Sequence, residues 1–278
     1  MATFATPAPV AATVEVAGAR VRVTASDRTD TVVLVEPVDP ASRSHRKVAD
    51  RTKVEFADGA LLVKTTVAGE KNGSVTITID LPTGSALAAY LAYSAVHADG
   101  AFGVSELHLA SGRVQLDRVD ALRASIASGE VAVGHIAGPA TVDGAAFELR
   151  IGEVEGAVGL TNSGGRVWIG HAAARLELGS AGCDFHIDRA DGDVVATTAS
   201  GAIRIGRMTN GRARVTNASG DIEVGISEGS VASVDVASER GAVHDFVTPA
   251  PEPGPSELKV AVFARTRHGD VIVQRAAA

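Results

Sequence analysis

Between residues 107 and 226 apolar side chains alternate with polar or small ones in short runs, and the runs recur at a fixed interval. Clear copies begin at Ser111-Gly112-Arg113-Val114, Ser128-Gly129-Glu130-Val131, Gly164-Gly165-Arg166-Val167, Ser200-Gly201-Ala202-Ile203 and Ser219-Gly220-Asp221-Ile222, with two degenerate copies around Phe147 and Cys183. Taking Gly112, Gly129, Phe147, Gly165, Cys183, Gly201 and Gly220 as the reference position, the steps are 17, 18, 18, 18, 18 and 19 residues. Two and four residues after each reference the chain is apolar in nearly every copy. Seven and five residues before it the same holds, as in Val158 and Leu160 or Leu176 and Leu178. Each interval therefore contains two period-two runs, the mark of half-buried strands, joined by small residues where the chain can bend. A further apolar row, Val119, Ile136, Val154, Ala172, Ala190 and Met208, predicts a third inward wall.

An interval of eighteen is too short for a propeller blade or a helix-pair repeat, and helical periodicity is absent, so the pattern predicts a β-solenoid. Successive coils lie in register and inward Val, Ile and Leu stack as ladders. The column Val131, Leu149, Val167, Phe185 and Ile203 is one such ladder. The fold class expected is thus all-β, a single-stranded β-helix of ~18 residues per coil, wound right-handed, with an N-terminal antiparallel cap and one short helix.

The flanks set the expected boundaries. Residues 1–12 read as a frayed, flexible start, residues 13–83 as a strand-rich capping region and residues 84–278 as the solenoid. Alternation on both sides of Gly18 predicts a hairpin of edge strands. Pro40 predicts the first turn of a surface helix over residues 41–50, whose Arg43, His45, Arg46, Lys47 and Arg51 read as a solvated face balanced by Asp39, Asp50 and Glu55. Asp58-Gly59 predicts a tight turn between strands. Residues 230–246 read as one more coil. A Pro-rich loop over 248–256 follows, and a last strand pair, Leu258 to Thr266 and Val271 to Val273, is expected to close the end.

Composition narrows the class. Aromatics are only 4% of the 278 residues while glycine reaches 30, a balance that suits small aliphatic ladders better than a bulky globular core. The net charge of −7 and the lack of a basic stripe argue against nucleic acid as partner. Cys183 is the only cysteine, which excludes an internal disulfide. The start has neither a basic nor an apolar leader segment, and no run approaches a membrane span; a soluble, cytoplasmic protein without direct membrane insertion is expected.

The phrases at Ser200-Gly201-Ala202-Ile203-Arg204-Ile205, Ala218-Ser219-Gly220-Asp221-Ile222-Glu223-Val224 and Gly269-Asp270-Val271-Ile272-Val273 resemble the bacterial putative-adhesin family of β-strand-repeat proteins, the toastrack domain. Leu81-Pro82-Thr83-Gly84-Ser85 is similar to the segment preceding the repeats in that family, and the resemblance runs from about Val14 to the end. It implies a β-helix, no known catalytic residues and an association with cell-envelope or envelope-stress systems. The leaderless start departs from the adhesin label and favours an intracellular binding or scaffold role.

Candidate chemistry follows the register. Residues three after each reference point outward, which places Arg150, Trp168, His186 and Arg204 in one outer column; aromatic and arginine side chains together are typical of binding hot spots. This wall is the candidate surface for a protein partner, for self-association or for an anionic glycan. A competing enzymatic reading rests on Asp184, Asp188, Asp191 and Asp193, since paired carboxylates can act as acid and base in a carbohydrate-active β-helix or bind Ca2+. Asp in turns more often satisfies its own backbone, so a non-enzymatic module with no catalytic residues, cofactor or metal is the expectation. His135, His171 and His186 lack metal-ligand spacing.

Overall fold

The computed structural model describes residues 1–65, 74–247 and 258–276. The Pro-rich loop expected over 248–256 lies outside the described residues. The chain is a β-solenoid whose contacts divide it into two compact units, Met1–Ala137 and Gly138–Ala278.

The first unit contains β1 (Ala2–Ala5), β2 (Ala11–Ala17), β3 (Ala19–Ser26), β4 (Asp30–Pro37), helix α1 (Arg43–Arg51), β5 (Lys53–Ala57), β6 (Ala60–Lys64), β7 (Val75–Pro82) and the long coiling run β8 (Ala86–Ile136). The expected hairpin at Gly18 is corrected: β2 and β3 do not pair with each other. Gly18 turns a corner at φ 71°, and each strand lies parallel between two others, β2 between β6 and β8, β3 between β7 and β8. Alternation alone cannot tell a hairpin from a solenoid corner, because both put successive side chains on opposite faces.

The antiparallel cap is formed instead by β4 on β7, β1 on β4 and β5 on β6. Residues 1–12 are therefore not a frayed start: β1 pairs with β4, and the buried Thr6 and Thr31 hydroxyls bond at 2.9 Å. At the β5–β6 turn Asp58 and Gly59 both take positive φ, 49° and 76°, as the two-residue hairpin requires. The helix starts later than Pro40 suggested, because Ser42 caps it: its Oγ accepts from the His45 N–H at 3.5 Å. Only Val48 of the helix is buried, and the basic side chains face solvent except half-buried His45.

The second unit stacks β9 (Ala140–Val154), β10 (Val158–Ala172) and β11 (Leu176–Ala190), then β12 (Val194–Ser200) with β13 (Ile203–Met208), and β14 (Gly211–Ser219) with β15 (Ile222–Ile226). All neighbours are parallel. Leu149, Val167, Phe185, Ile203 and Ile222 form one continuous ladder in register, and each is about 1% exposed or less. Val131, at the corresponding place in the first unit, is equally buried, and so is the third row from Val119 to Met208.

The end of the chain departs from the expected order. After β16 (Ser230–Arg240) and β17 (Val243–Asp245), the strands β18 (Leu258–His268) and β19 (Val271–Arg275) return and insert between earlier coils. β18 pairs with β14 on one side and β16 on the other, and β19 pairs with β15 and β17. The outermost coil is 230–245, not 258–275. The inward residues account for this: Val260, Val262, Ala264, Val271 and Val273 are at most 2% exposed, whereas Val234 and Val236 stay half-buried and Val243 is 43% exposed. The richer aliphatic set takes the doubly covered slot, since burying each such side chain contributes about 1.5–3 kcal/mol.

Two corner rows complete the coil. At the reference position Gly165, Gly201, Gly220 and Gly269 adopt φ between 116° and 140°, each with its Cα against a carbonyl of the preceding coil. Phe147 and Cys183 avoid positive φ and turn inward, 2% and 0% exposed, filling the core where glycine leaves it empty. Inside the same bend run Asn162, Ser180, Thr198 and Asn217, in register. The Asn217 amide donates to the carbonyls of Gly201 and Gly220, both at 3.0 Å, tying adjacent coils at the turn.

Candidate functional surface

The column deduced from the register forms within the second unit. Arg150 on β9 faces Trp168 on β10, which faces His186 on β11, Arg204 on β13 and then Glu223 on β15. Adjacent strands stand about 4.8 Å apart, so the row from Arg150 to Arg204 spans roughly 14 Å. Alternation holds these side chains outward because Val167, Ile169, Phe185 and Ile187 on either side of them are committed to the core.

Trp168 is half-buried. Its indole N–H donates to Asp188 Oδ1 at 3.2 Å, and its ring reaches along the strand until Cη2 lies 3.0 Å from where a Cβ of Gly170 would stand. His186 Nε2 lies 2.8 Å from the same Asp188 oxygen, so one carboxylate fixes two members of the row. Arg204 Nε is 3.3 Å from Glu223 Oε2. Arg150 is exposed and has no carboxylate partner among the described residues. The result is a row in which the indole and imidazole rings stand between two arginines.

The four aspartates of the enzymatic reading are brought into one coil but not to one point. Asp184 Oδ1 accepts from the Ala202 N–H at 2.9 Å, Asp188 serves Trp168 and His186, and Asp193 accepts from the Arg212 N–H at 2.8 Å. Asp191 is held by Arg189 at 2.9 Å, His171 at 2.8 Å and the Thr209 hydroxyl. Burial pushes the Asp191 carboxyl up, but the bonds from Arg189, Thr209 and His171 outweigh it and hold it at about 2, below its ordinary 3.8. A carboxylate so engaged is a poor proton acceptor at neutral pH, and no three His, Cys, Asp or Glu among the described residues are grouped to hold a metal ion. Cys183 is buried, and burial pushes its thiol up, away from the reactive thiolate.

The sequence missed a second arrangement on another wall. Phe263 on β18 lies between Arg214 and Arg265, whose guanidinium carbons stand 4.9 and 4.1 Å from the ring centre. Arg265 is held by Asp235 at 2.7 Å. Phe263, Arg214 and Asp235 line a concavity of about 410 Å³ that also exposes Arg175, Arg212 and Ser233. No reading that places residues 258–275 at the end of the stack brings Phe263 against Arg214 and Asp235; only insertion of β18 between β14 and β16 does.

Comparison with known proteins adds the following. The Toastrack DUF4097 family matches residues 12–274. Among solved structures, a putative adhesin from Bacteroides fragilis NCTC 9343 is 13% identical with a TM-score of 0.39, covering 98% of this chain and 95% of that one. A putative adhesin from Parabacteroides distasonis ATCC 8503 is 11% identical with a TM-score of 0.32 over the same shares. No curated protein matches. A family match that spans both units and their repeated coils identifies the chain as a member of the Toastrack DUF4097 family.

Proposed function

We propose that this protein is a non-enzymatic binding or scaffold module that presents the row Arg150, Trp168, His186 and Arg204 to a protein partner. The observation that supports this reading best is the alignment of that row on four adjacent strands, with Asp188 holding Trp168 and His186 and Glu223 holding Arg204 before any partner arrives. Preorganisation lowers the entropy lost on binding. Self-association through the same strip and capture of an anionic glycan are the other outcomes that the cationic ends allow. The setting implied by the family resemblance is the cell envelope and its stress response.

Trp168 is the only tryptophan, so its emission reports the strip directly. Proteins captured from the native host on the wild type, but not on a Trp168→Ala, Arg204→Ala variant, are purified and titrated while Trp168 fluorescence is followed. A saturable emission change in the wild type and at least tenfold weaker binding by the variant are expected. A partner that binds the variant as tightly as the wild type overturns the assignment. Light scattering of the isolated protein distinguishes self-association.

A further inference from the structure

The first unit carries a cleft of a different character, independent of the Trp168 row. On β3 the inward residues Val21 and Val23 are 4% and 0% exposed, so Arg20 and Arg22 both point outward, about 6.5–7 Å apart along the strand. β7 sets Thr76 beside Arg20 and Thr78 beside Arg22; on the other side β8 sets Ala95 beside Arg20 and His97 beside Arg22. His97 bonds Gln115 at 3.2 Å across 18 residues, which brings Arg113 to the strand beyond Ala95. Ala95 has no side chain beyond Cβ. The row Arg20, Ala95, Arg113 therefore has a gap at its centre, flanked by two guanidiniums roughly 10 Å apart at the backbone. The resulting hollow measures about 380 Å³ and is lined by Arg20, Arg22, Arg113, His97, Thr76, Thr78 and Gln115.

Its charge balance is one-sided. No carboxylate lines it. Of the acids on neighbouring strands, Glu130 bonds Arg113 at 2.7 Å, Asp99 bonds His97 at 2.8 Å and Asp80 bonds Arg28 at 3.3 Å, while Glu36 stands beside Thr76 on the side away from Arg20. Arg20 and Arg22 have no ion-pair partner among the described residues. In a chain of net charge −7, two unpaired guanidiniums on one strand, a third across a hollow, and hydroxyl and amide groups at the rim form a local trap for negative charge. Guanidinium forks match tetrahedral oxyanions through paired N–H donors.

We propose that this cleft binds a phosphate or sulfate group carried by a small ligand, gripped by Arg20 and Arg22 and faced by Arg113, with Thr76, Thr78 and Gln115 contacting the group that carries it. The hollow lies within the size range of small-ligand sites.

Calorimetric titration of the full chain with inorganic phosphate, sulfate and glucose 6-phosphate, at ionic strength fixed with chloride, tests this. Saturable binding of phosphate or sulfate is expected, tighter for the sugar phosphate, and weakening as chloride rises. Arg20→Gln with Arg22→Gln should weaken it at least tenfold, whereas Arg43→Gln, on the exposed face of α1, should leave it unchanged. Vesicles containing phosphatidic acid form a separate arm: binding to them in preference to glucose 6-phosphate overturns a small soluble carrier. Because Arg20 and Arg22 are exposed, the double variant should keep the wild-type melting curve. Binding by the double variant as tight as the wild type's, or heats no larger than those of chloride alone, overturns the proposal.

Discussion

Three glycine-to-alanine changes separate the effect of backbone conformation from the effect of coil stacking. Gly220 takes φ 128°, and a Cβ there would stand 2.3 Å from the Gly201 carbonyl oxygen. The coil cannot slide away cheaply: the Gly220 N–H donates to His268 O at 2.8 Å, the Gly201 N–H donates to Ser219 O at 2.9 Å, and Asn217 clasps both glycine carbonyls. Backbone strain of about 1–3 kcal/mol, added to the loss of one or two such bonds at about 1 kcal/mol each, puts the cost of Gly220→Ala near 3–5 kcal/mol. Gly59 also has positive φ, 76°, but a Cβ there meets nothing within 4 Å, so Gly59→Ala should cost only the left-handed penalty of about 1–2 kcal/mol. Gly159 lies in β10 at negative φ with open space around it, and Gly159→Ala should stabilise by about 0.5–1 kcal/mol. Urea unfolding followed by far-ultraviolet circular dichroism ranks the three. If Gly220→Ala moves the midpoint no further than Gly59→Ala, close stacking at the reference row is not what glycine is needed for.

Two other perturbations probe the end of the chain and the acid side. Removing residues 258–278 takes away the only strand partners that β16 and β17 have among the described residues, so amides of residues 230–245 should lose hydrogen-exchange protection while β9 to β11 keep theirs; continued protection of 230–245 would contradict the insertion. Because Asp191 is held at about 2 when folded and titrates near 3.8 when unfolded, its contribution is full above pH ~5 and disappears as pH falls towards 2. Asp191→Asn should therefore cost on the order of 2 kcal/mol at pH 6.5 and much less at pH 2.5; an equal loss at both pH values would refute the carboxylate's role.

Most of the coil was legible because side-chain alternation and a recurring glycine are local signals. Arg150, Trp168, His186 and Arg204 could be aligned by counting, since a parallel stack with a constant step turns sequence distance directly into lateral position. Counting failed where order along the chain and order in space part company. Val14 and Val23 read as hairpin residues because their alternation is the same in either setting, and nothing local reveals that β2 and β3 lie between coils drawn from later sequence. Phe263 likewise shows its arginine neighbours only after β18 is placed. Arg20 and Arg22 read as the polar face of an ordinary strand; the missing bulk at Ala95, which creates the hollow, comes from a segment seventy-odd residues later. Trp168 lies flatter than an outward position implies, because Gly170 leaves room for its ring.

The slot taken by residues 258–275 has a consequence for biosynthesis. These residues are synthesised after the coil 230–245, yet that coil gains its strand partner only when they arrive. Until residues 258–275 have been made, the nascent chain must hold β14 and β16 apart or let them meet in a wrong pairing. Chaperones that bind extended aliphatic segments would find their target in that interval, and a chain cut short before residue 258 would keep its seam open.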